Sequence, residues 1–359
     1  TLYALLWLLT TITPLARIEV MVGPRAMFAT AWHSKAQLMK LMQVKNPAQR
    51  AIRPVLSATS TNPYQALPAE NGGEDALFHT QHAASGQFAF GLADGVGGWT
   101  REGVDPAVFS KRLLGNIYEH VAEAKLEPNA TLAPVSLLEH SYDRINRERN
   151  PRLGSSTALV GVLEPTNSTL TMAQLGDSTY TVFRNRTEVH FHADEQTHGF
   201  NMPYQLTASP DQFEDSGNFL DFPKDARVNE FTLLPDDIVV LGTDGVFDNL
   251  FLEDVTTVLK DALDERRVSA LVAKAQGAQQ PLNSDTVAEI QQTCLTQAAQ
   301  AITSLAVLYS VRPDYQSPFA KRSLNSTMHF NGGKVDDTTV MLLWWKPQLL
   351  VNEPLKAKL

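Results

Sequence analysis

The sequence predicts an α+β protein, because strand-like and helical segments occur in separate blocks along the chain. A short apolar run bounded by Gly and turn residues opens the folded region, and two stretches with helical periodicity follow it. Four strand-like runs joined by short polar connections come next, as in an antiparallel meander. Two further helical stretches and a β-branched, apolar run close the pattern, and the chain contains no internal repeat.

The first strand and the two helices after it have clear local signals. The apolar run 87–92 predicts a buried strand. Asp105 followed by Pro106 is typical of a helix N-cap with proline at the first helical position. Apolar residues near 3.6 spacing extend this helix over 107–126, and a second helix is predicted over 135–147.

The later elements follow from the same two periodicities. Strands are predicted at 156–163, 170–175, 180–184 and 188–192. A loop-rich stretch covers 194–227, and the strand 237–243 follows it. Helices are expected at 254–263 and 284–308 with a surface loop at 276–281 between them, and the last strand at 338–345.

Composition limits the classes of protein that the chain can represent. Its 359 residues are 43% hydrophobic and 19% charged, which is typical of a globular protein with a full core. The net charge of −9 argues against a nucleic-acid binder that relies on phosphate contacts. Cys294 is the single cysteine, so the chain has no intramolecular disulfide and no cysteine-built zinc site, and we interpret Cys294 as a small core residue.

The N-terminal region has the composition of a targeting segment. The apolar run 2–16 is shorter than the ~20 residues that a membrane span needs, so we expect no stable span. Between Val20 and Ala69 there is no acidic residue, while basic residues recur, as in a mitochondrial presequence. A generic basic tail is one alternative. A secretory segment is another, because four Asn-x-Ser/Thr triplets match the glycosylation pattern.

These observations divide the chain into three parts. Residues 1–56 are interpreted as an apolar and basic targeting segment, either disordered or cleaved. Residues 57–350 form the predicted folded domain, and 351–359 form a C-terminal tail. We therefore expect one folded domain after the N-terminal segment, which we predict to be a monomer located in mitochondria.

Acidic residues recur at the ends of apolar runs. One such pair is usually a plain turn, but five occurrences in one chain suggest carboxylates that converge from several strand ends on a metal cluster. The backbone carbonyl of Gly95 is a further candidate oxygen ligand, since hard divalent cations prefer oxygen. The acidic positions are Glu74-Asp75, Asp94, Asp177, Asp244 and Asp336-Asp337.

Each carboxylate has an expected role. Two divalent ions ~3.5–4 Å apart can bridge a hydroxide and hold the oxygens of a phosphoryl group during in-line attack. Asp94 would bridge both ions, and Asp244 and Asp336 would complete one of them. Glu74 and Asp75 would reach the other. In this scheme a metal-bound water is the nucleophile, and Asp94 and Asp244 act in catalysis through it.

Other candidates remain open at this stage. Asp177 is interpreted either as a hairpin-turn residue or as a further metal ligand. Asp337 with its neighbour could be a solvated pair, and Asp248 could be an outer ligand or a helix cap. The histidines show no metal-ligand spacing.

Six motifs occur in the order in which a known family has them. They resemble those of the metal-dependent Ser/Thr protein phosphatases of the 2C family (PP2C, PPM). The motifs are Glu74-Asp75, Ala93-Asp94-Gly95-Val96-Gly97-Gly98, Gly154-Ser155-Ser156-Thr157-Ala158, Leu175-Gly176-Asp177-Ser178, Thr243-Asp244-Gly245-Val246-Phe247-Asp248-Asn249 and Asp336-Asp337-Thr338-Thr339-Val340.

Three further segments resemble the mitochondrial, Ptc7-like branch of that family, which includes the fungal azole-resistance-type phosphatases. They are Gly98-Trp99 with Gly103-Val104-Asp105-Pro106, then 194–201, and 315–320. The resemblance implies a four-layer α-β-β-α sandwich of two antiparallel sheets flanked by helices. It also implies two or three Mg²⁺ or Mn²⁺ ions, phosphoserine or phosphothreonine protein substrates, and a matrix role connected with coenzyme Q synthesis.

The chain departs from the family pattern at two places. Val96 stands where many members have a His that protonates the leaving oxygen, and 68–72 contains no Arg to hold the phosphate. The general acid and the phosphate-binding residue are therefore left open. The alternative function is a pseudophosphatase that binds phosphoproteins without turnover, and a secreted or membrane-tethered hydrolase is a third possibility.

Overall fold

The structure is a computed structural model that describes residues 25–43, 73–123, 131–208, 219–264, 268, 270–271 and 284–346. Two five-stranded antiparallel sheets dominate it. In spatial order, the first sheet contains β1 (Arg25–His33), β14 (Thr338–Lys346), β13 (Ile238–Gly242), β7 (Thr179–Arg184) and β8 (Glu188–His192). The second contains β12 (Arg227–Thr232), β6 (Thr169–Leu175), β5 (Ala158–Glu164), β3 (Phe88–Asp94) and β2 (Asp75–Gln81).

Short ladders and helices complete the described elements. The ladders pair β4 (Ser155–Ser156) with β11 (Leu206–Thr207), and β9 (Thr197–Gly199) with β10 (Met202–Pro203). The helices are α1 (Lys35–Gln43), α2 (Pro106–Glu123), α3 (Pro134–Glu148), α4 (Asp244–Phe247), α5 (Leu252–Leu263), α6 (Ser284–Ser310) and α7 (Pro318–Ser323). None of the helices that the structure describes combines the length and hydrophobicity needed to cross a membrane.

The elements form four layers around three apolar cores. Helices α5 and α6 cover the outer face of the first sheet, and α2 and α3 cover the outer face of the second. The third core lies between the two sheets. The α-β-β-α sandwich that the resemblance implies is therefore confirmed. Because both faces of each sheet are covered, central strands such as β13 are apolar at every position rather than alternating.

The strand ends are fixed by this double burial. In β13, Ile238 and Val240 face the helices, while Val239 and Leu241 face the opposite sheet. The polar residues that follow the apolar run therefore come after the buried part of the strand, at one end of the sandwich. Cys294 lies in the core against the first sheet, as predicted.

Most predicted elements are present with small shifts at their ends. The helix predicted over 107–126 runs over Pro106–Glu123, and Asp105 caps it by accepting a hydrogen bond from the Ala107 N–H at 3.0 Å. The prediction missed β12, which is a polar edge strand with alternating exposure. Only its first residue, Arg227, lies in the predicted loop 194–227, and its other residues were assigned to no element. The predicted loop at 276–281 lies outside the described residues.

The folded part of the chain begins before residue 57, which was its predicted start. Residues Arg25–His33 form β1, which pairs with the whole length of β14 and places Ala29 opposite Leu342. Met27, Ala29 and Ala31 pack into the core under α6. The absence of acidic residues in this segment suggested a targeting sequence, but the segment forms an edge strand with apolar residues on both faces. The sheet therefore begins well before the predicted boundary.

Candidate metal centre

Two carboxylates meet at the end of the second sheet. Asp75 begins β2 and Asp94 ends β3, and the two residues are direct cross-strand partners. Desolvation, and then the charge of Asp337, hold the pKa of Asp75 well above its usual range. Desolvation, and then the neighbouring Asp75, do the same for the pKa of Asp94. Such like charges in a poorly solvated site are stabilised by a cation.

The backbone at Asp94 is held by the Ser-rich segment that was singled out in the sequence. The Asp94 N–H donates to Thr157 Oγ1 at 3.1 Å, and the Asp94 carbonyl accepts from Thr157 N at 2.9 Å and from Ser156 Oγ at 2.7 Å. These bonds fix the end of β3 and therefore the backbone position from which the Asp94 carboxylate extends. The Ser155–Thr157 segment thus positions the predicted bridging carboxylate.

Glu74 reaches the same end of the sheet from the residue before β2. A Cβ atom at Gly97 would lie 2.8 Å from Glu74 Oε2, so glycine at that position leaves room for the carboxylate. Burial, and then the Asp337 charge, raise the pKa of Glu74 to about 7. The Gly95 N–H donates to the Glu74 carbonyl at 3.1 Å. Glu74 and Gly95, two of the candidate ligands, are therefore neighbours.

A second group of carboxylates lies at the end of the first sheet. Asp244 opens α4 directly after β13, and Asp248 follows one turn later, its N–H donating to the Asp244 carbonyl at 2.7 Å. Lys334 lies between them, bonded to Asp244, at 2.6 Å from Asp248 and at 3.2 Å from Asp336. Asp244 Oδ1 is buried and has no hydrogen-bond partner among the described residues.

Asp177 belongs to this second group rather than to an isolated turn. It is buried after the end of β6, and burial followed by the charge of Asp244 holds its pKa well above the usual range. The charge of Lys334 acts in the other direction. Asp177 is thus electrostatically coupled to Asp244 and Asp248, which favours the ligand interpretation over that of a solvated hairpin residue.

The two adjacent aspartates near the C-terminus have different surroundings. Asp336 lies 3.0 Å from Lys35 Nζ and 3.2 Å from Lys334 Nζ. Asp337 is buried and accepts the backbone N–H groups of Lys35 at 2.6 Å and Glu74 at 2.8 Å. Asp337 therefore joins α1 and the start of β2 to β14, and the interpretation of a solvated pair is wrong for it.

The donor set fits a hard divalent cation, although its present arrangement is closed around a lysine. All the candidate side chains are carboxylates, and one buried oxygen of Asp244 lacks a partner in the described part of the chain. Across the described ranges, no three His, Cys, Asp or Glu residues are arranged so that they could hold one ion. The Lys334 ammonium contacts three of the carboxylates instead, so a cation already neutralises this part of the cluster.

A cleft adjoins the second group. Its volume is about 120 Å³, and Asp177, Glu195, Asp248, Phe319 and Arg322 are among the residues that line it. Arg322 contacts Asp248 and lies 3.1 Å from Glu195. Burial is the largest cause that raises the pKa of Glu195 to about 7, and Arg322 opposes it.

The sequence interpretation missed the cations of this site. Lys334, Arg322 and Lys35 were not singled out, because the search followed acids at strand ends. Lys334 lies two residues before Asp336 after a Gly-Gly pair, and that spacing is the one local signal that could have found it. Arg322 and Lys35 reach the site only through tertiary packing.

Comparisons with known proteins show the family to which the chain belongs. The family model for Stage II sporulation protein E (SpoIIE) matches residues 84–307. The protein phosphatase PTC7 homolog of Homo sapiens is 35% identical over 271 residues, which are 75% of this chain and 78% of the relative. The protein phosphatase PTC7 homolog fig of Drosophila virilis is 38% identical over 272 residues, 75% of this chain and 77% of the relative.

A solved structure shows the same fold. The X-ray structure of the photosystem II phosphatase PBCP superposes with a TM-score of 0.60 at 22% identity, over 90% of this chain and 100% of that chain. Together with the named relatives, the fold and the carboxylate cluster define the class, and the chain belongs to the PP2C-type protein phosphatases. Its named relatives are PTC7 homologues, so the resemblance to that branch is confirmed, as is the predicted enzyme class of protein phosphatase.

Proposed function

We propose that the chain hydrolyses phosphoserine and phosphothreonine in protein substrates and depends on Mg²⁺ or Mn²⁺ for this reaction. The observation that carries the proposal is the convergence of carboxylates from both sheets at one end of a phosphatase fold. Two or three ions would be held by Glu74, Asp75, Asp94, the Gly95 carbonyl, Asp177, Asp244 and Asp336. When bound, such ions lower the pKa of a coordinated water and polarise phosphoryl oxygens.

The chain's own residues supply placement and charge. Asp94 and Asp244 come from different sheets, so both must keep their positions for the two carboxylate groups to hold divalent ions at a common site. Arg322 lines the cleft beside Asp177 and would bind the substrate phosphate, since 68–72 contains no arginine for that task. A guanidinium matches two phosphate oxygens, whereas an ammonium acts as a point charge.

The test is hydrolysis of a phosphothreonine peptide by the full chain, with Mn²⁺ or Mg²⁺ titrated into metal-free protein. Asp94→Ala should abolish the metal-dependent turnover. Asp143→Ala removes an exposed carboxylate of α3 and is the matched control, which should keep wild-type turnover. Turnover that is equal in Asp94→Ala and wild type would contradict the proposed mechanism.

A second candidate function is phosphoprotein binding without turnover. The lysine that contacts three of the carboxylates is the observation that favours it, because a permanently closed cluster would bind no metal. Binding of a phosphopeptide without hydrolysis at saturating Mn²⁺ would support this alternative over the phosphatase.

We also propose a mitochondrial matrix location, with coenzyme Q synthesis as the process served. The location and the process follow from the family resemblance, because the acid-free, basic stretch from Val20 to Ala69 contains β1 and therefore is not an import signal as a whole. Since β1 starts at Arg25, any cleavage compatible with the sheet must occur before that residue. Cell fractionation followed by N-terminal sequencing tests both statements. A mature start beyond Arg25 would contradict cleavage before β1, and absence of the protein from the mitochondrial fraction would contradict the location.

A further inference from the structure

A lysine side chain fills the space between three acidic residues of the candidate metal centre. Lys334 Nζ contacts Asp244, lies 2.6 Å from Asp248 and 3.2 Å from Asp336, and its side chain is only 15% exposed. Two of these partners, Asp244 and Asp336, are proposed ligands of one ion. The ammonium group therefore occupies the side of the carboxylates that the ion would use.

The fold contacts Lys334 both at its backbone and at its ammonium group. The side-chain amide of Asn249 accepts from the Lys334 N–H at 2.9 Å and donates to the Lys334 carbonyl at 2.8 Å. The Phe319 ring lies 4.9 Å from Nζ, a distance typical of a cation–π contact. Because Asn249 holds the backbone, only the flexible stem of Lys334 can move when the ammonium leaves the carboxylates.

The ion pairs show which carboxylate depends on Lys334. Asp336 also pairs with Lys35 at 3.0 Å, and Asp248 also pairs with Arg322. Asp244 has Lys334 as its ion-pair partner, and among the described residues no second one is seen for it. Lys334 is therefore the counter-ion of Asp244, whereas its other two partners keep a cation of their own when it moves away.

We propose that the Lys334 ammonium is a built-in competitor of the divalent cation at Asp244 and Asp336. The inference rests on the proposed function, because it assumes that these carboxylates bind a divalent ion. An ammonium and a divalent ion repel each other and cannot both contact Asp244, so the ion must displace the lysine. Asp75 and Asp94 have no ion pair with a lysine among the described residues. The charges of Lys111 and Lys35 act on Asp75 and Glu74 without such an ion pair, so an ion on their side displaces no ammonium group. Metal binding then occurs in a tight class and a weak class, and Lys334 sets the affinity of the weak one.

The test measures Mn²⁺ binding to metal-free, full-length protein. Calorimetry and the electron paramagnetic resonance signal of free Mn²⁺ are the two readouts. Lys334→Gln removes the charge and keeps a polar group that can hydrogen-bond to the carboxylates. We expect the weak class to bind about tenfold more tightly in Lys334→Gln, as for the loss of one charge in contact with the site. Lys260→Gln removes the same charge from the exposed side of α5 and should bind as wild type does.

A measurement on the wild-type side chain covers the case in which Lys334→Gln does not fold without metal. In protein labelled with ¹³C at lysine Cε, the Lys334 signal is assigned by its loss in Lys334→Arg. We expect that signal to shift during the weak phase of a Mg²⁺ titration and not during the tight phase. A signal that stays unchanged at full occupancy would overturn the proposal.

The remaining outcomes separate this inference from the proposed function. If Lys334→Gln binds Mn²⁺ no more tightly than Lys260→Gln does, the competition is refuted, whatever the activity. If neither wild type nor Lys334→Gln binds Mn²⁺, the inference also fails. If wild type hydrolyses no phosphopeptide although Lys334→Gln binds Mn²⁺ more tightly, the phosphatase proposal fails and the competition stands.

Discussion

Thr243 Oγ1 donates a hydrogen bond to Asp75 Oδ2 at 3.0 Å and so joins the ends of the two sheets. Thr243 follows β13 of the first sheet, and Asp75 starts β2 of the second. The same hydroxyl accepts the Thr339 N–H at 3.1 Å, so one side chain serves both a carboxylate and the neighbouring strand. The carboxylates from the two sheets keep a common position partly because of this bond.

Replacing this hydroxyl by a methyl group should loosen the cluster. Thr243→Val keeps the shape but leaves Asp75 and the Thr339 N–H each without a partner in a buried place. We expect a loss of about 1–3 kcal/mol in the free energy of unfolding, measured by urea denaturation of metal-free protein. Thr257→Val changes an exposed threonine of α5 in the same way and should lower the free energy of unfolding by at most about 0.5 kcal/mol. Equal stability of the two variants would contradict this role of Thr243.

The stability of the metal-free protein should fall as pH rises from about 4.5 towards 7. The Glu74 carboxyl has a pKa of about 7 in the folded protein and an ordinary value of 4.5 when unfolded, so the folded state holds its proton longer. Folding is therefore favoured while both states are protonated, and that advantage is lost as pH rises through the folded pKa. Because the residue is partly exposed, we expect an effect of about 1 kcal/mol at most.

Thermal unfolding in chelator-treated buffers from pH 4.5 to 8 measures this dependence. Glu74→Gln should reduce the slope over the same pH window, because the glutamine cannot ionise, while Glu195 and Asp337, whose pKa values burial also raises to about 7 and about 6, keep part of it. The control Glu139→Gln, on the exposed face of α3, should keep the wild-type slope. A wild-type curve that instead rises through this window would show that Glu74 is not the group that dominates there.

The acids of the site could be predicted from the sequence, whereas the cations could not. Asp94 and Asp244 follow apolar runs directly, and a sheet buried on both faces exposes its polar residues at the strand ends. Lys334 and Arg322 come from a loop and from the short helix α7, and their positions depend on tertiary packing. No local periodicity brings them to the carboxylates.

The missed strands have a similar physical cause. β12 is a polar edge strand with one covered face, so its alternation is weak, and β1 was hidden by a composition that is typical of import signals. Asp337 was misjudged because its hydrogen-bond partners are distant in the sequence. The backbone N–H groups of Lys35 and Glu74 are 302 and 263 residues away and come close to Asp337 only in the fold. Sequence patterns predict central elements better than edges.

Arg322 should contribute to substrate binding more than to the chemical step. Its guanidinium lines the cleft beside Asp177 and is 38% exposed, so it can reach an incoming phosphate. We expect Arg322→Ala to raise KM for a phosphothreonine peptide about tenfold with a smaller change in kcat, since a charge-assisted pair of hydrogen bonds is lost. Lys321→Ala removes a neighbouring exposed cation that does not line the cleft and is the matched control. An unchanged KM in Arg322→Ala would exclude this role.

Strand β1 should be needed for a stable first sheet. It pairs with β14 along its full length, and its removal would expose the edge of a long apolar strand, which favours aggregation. We compare deletion of residues 1–24 with deletion of residues 1–33. The shorter deletion keeps β1 and all of its described partners, so it is the reference for the longer one. The longer deletion should lower the melting temperature by several degrees or more and yield aggregated protein in size-exclusion chromatography. If both deletions remain monodisperse with equal melting temperatures, β1 contributes nothing to the sheet, and cleavage beyond Arg25 becomes compatible with the fold.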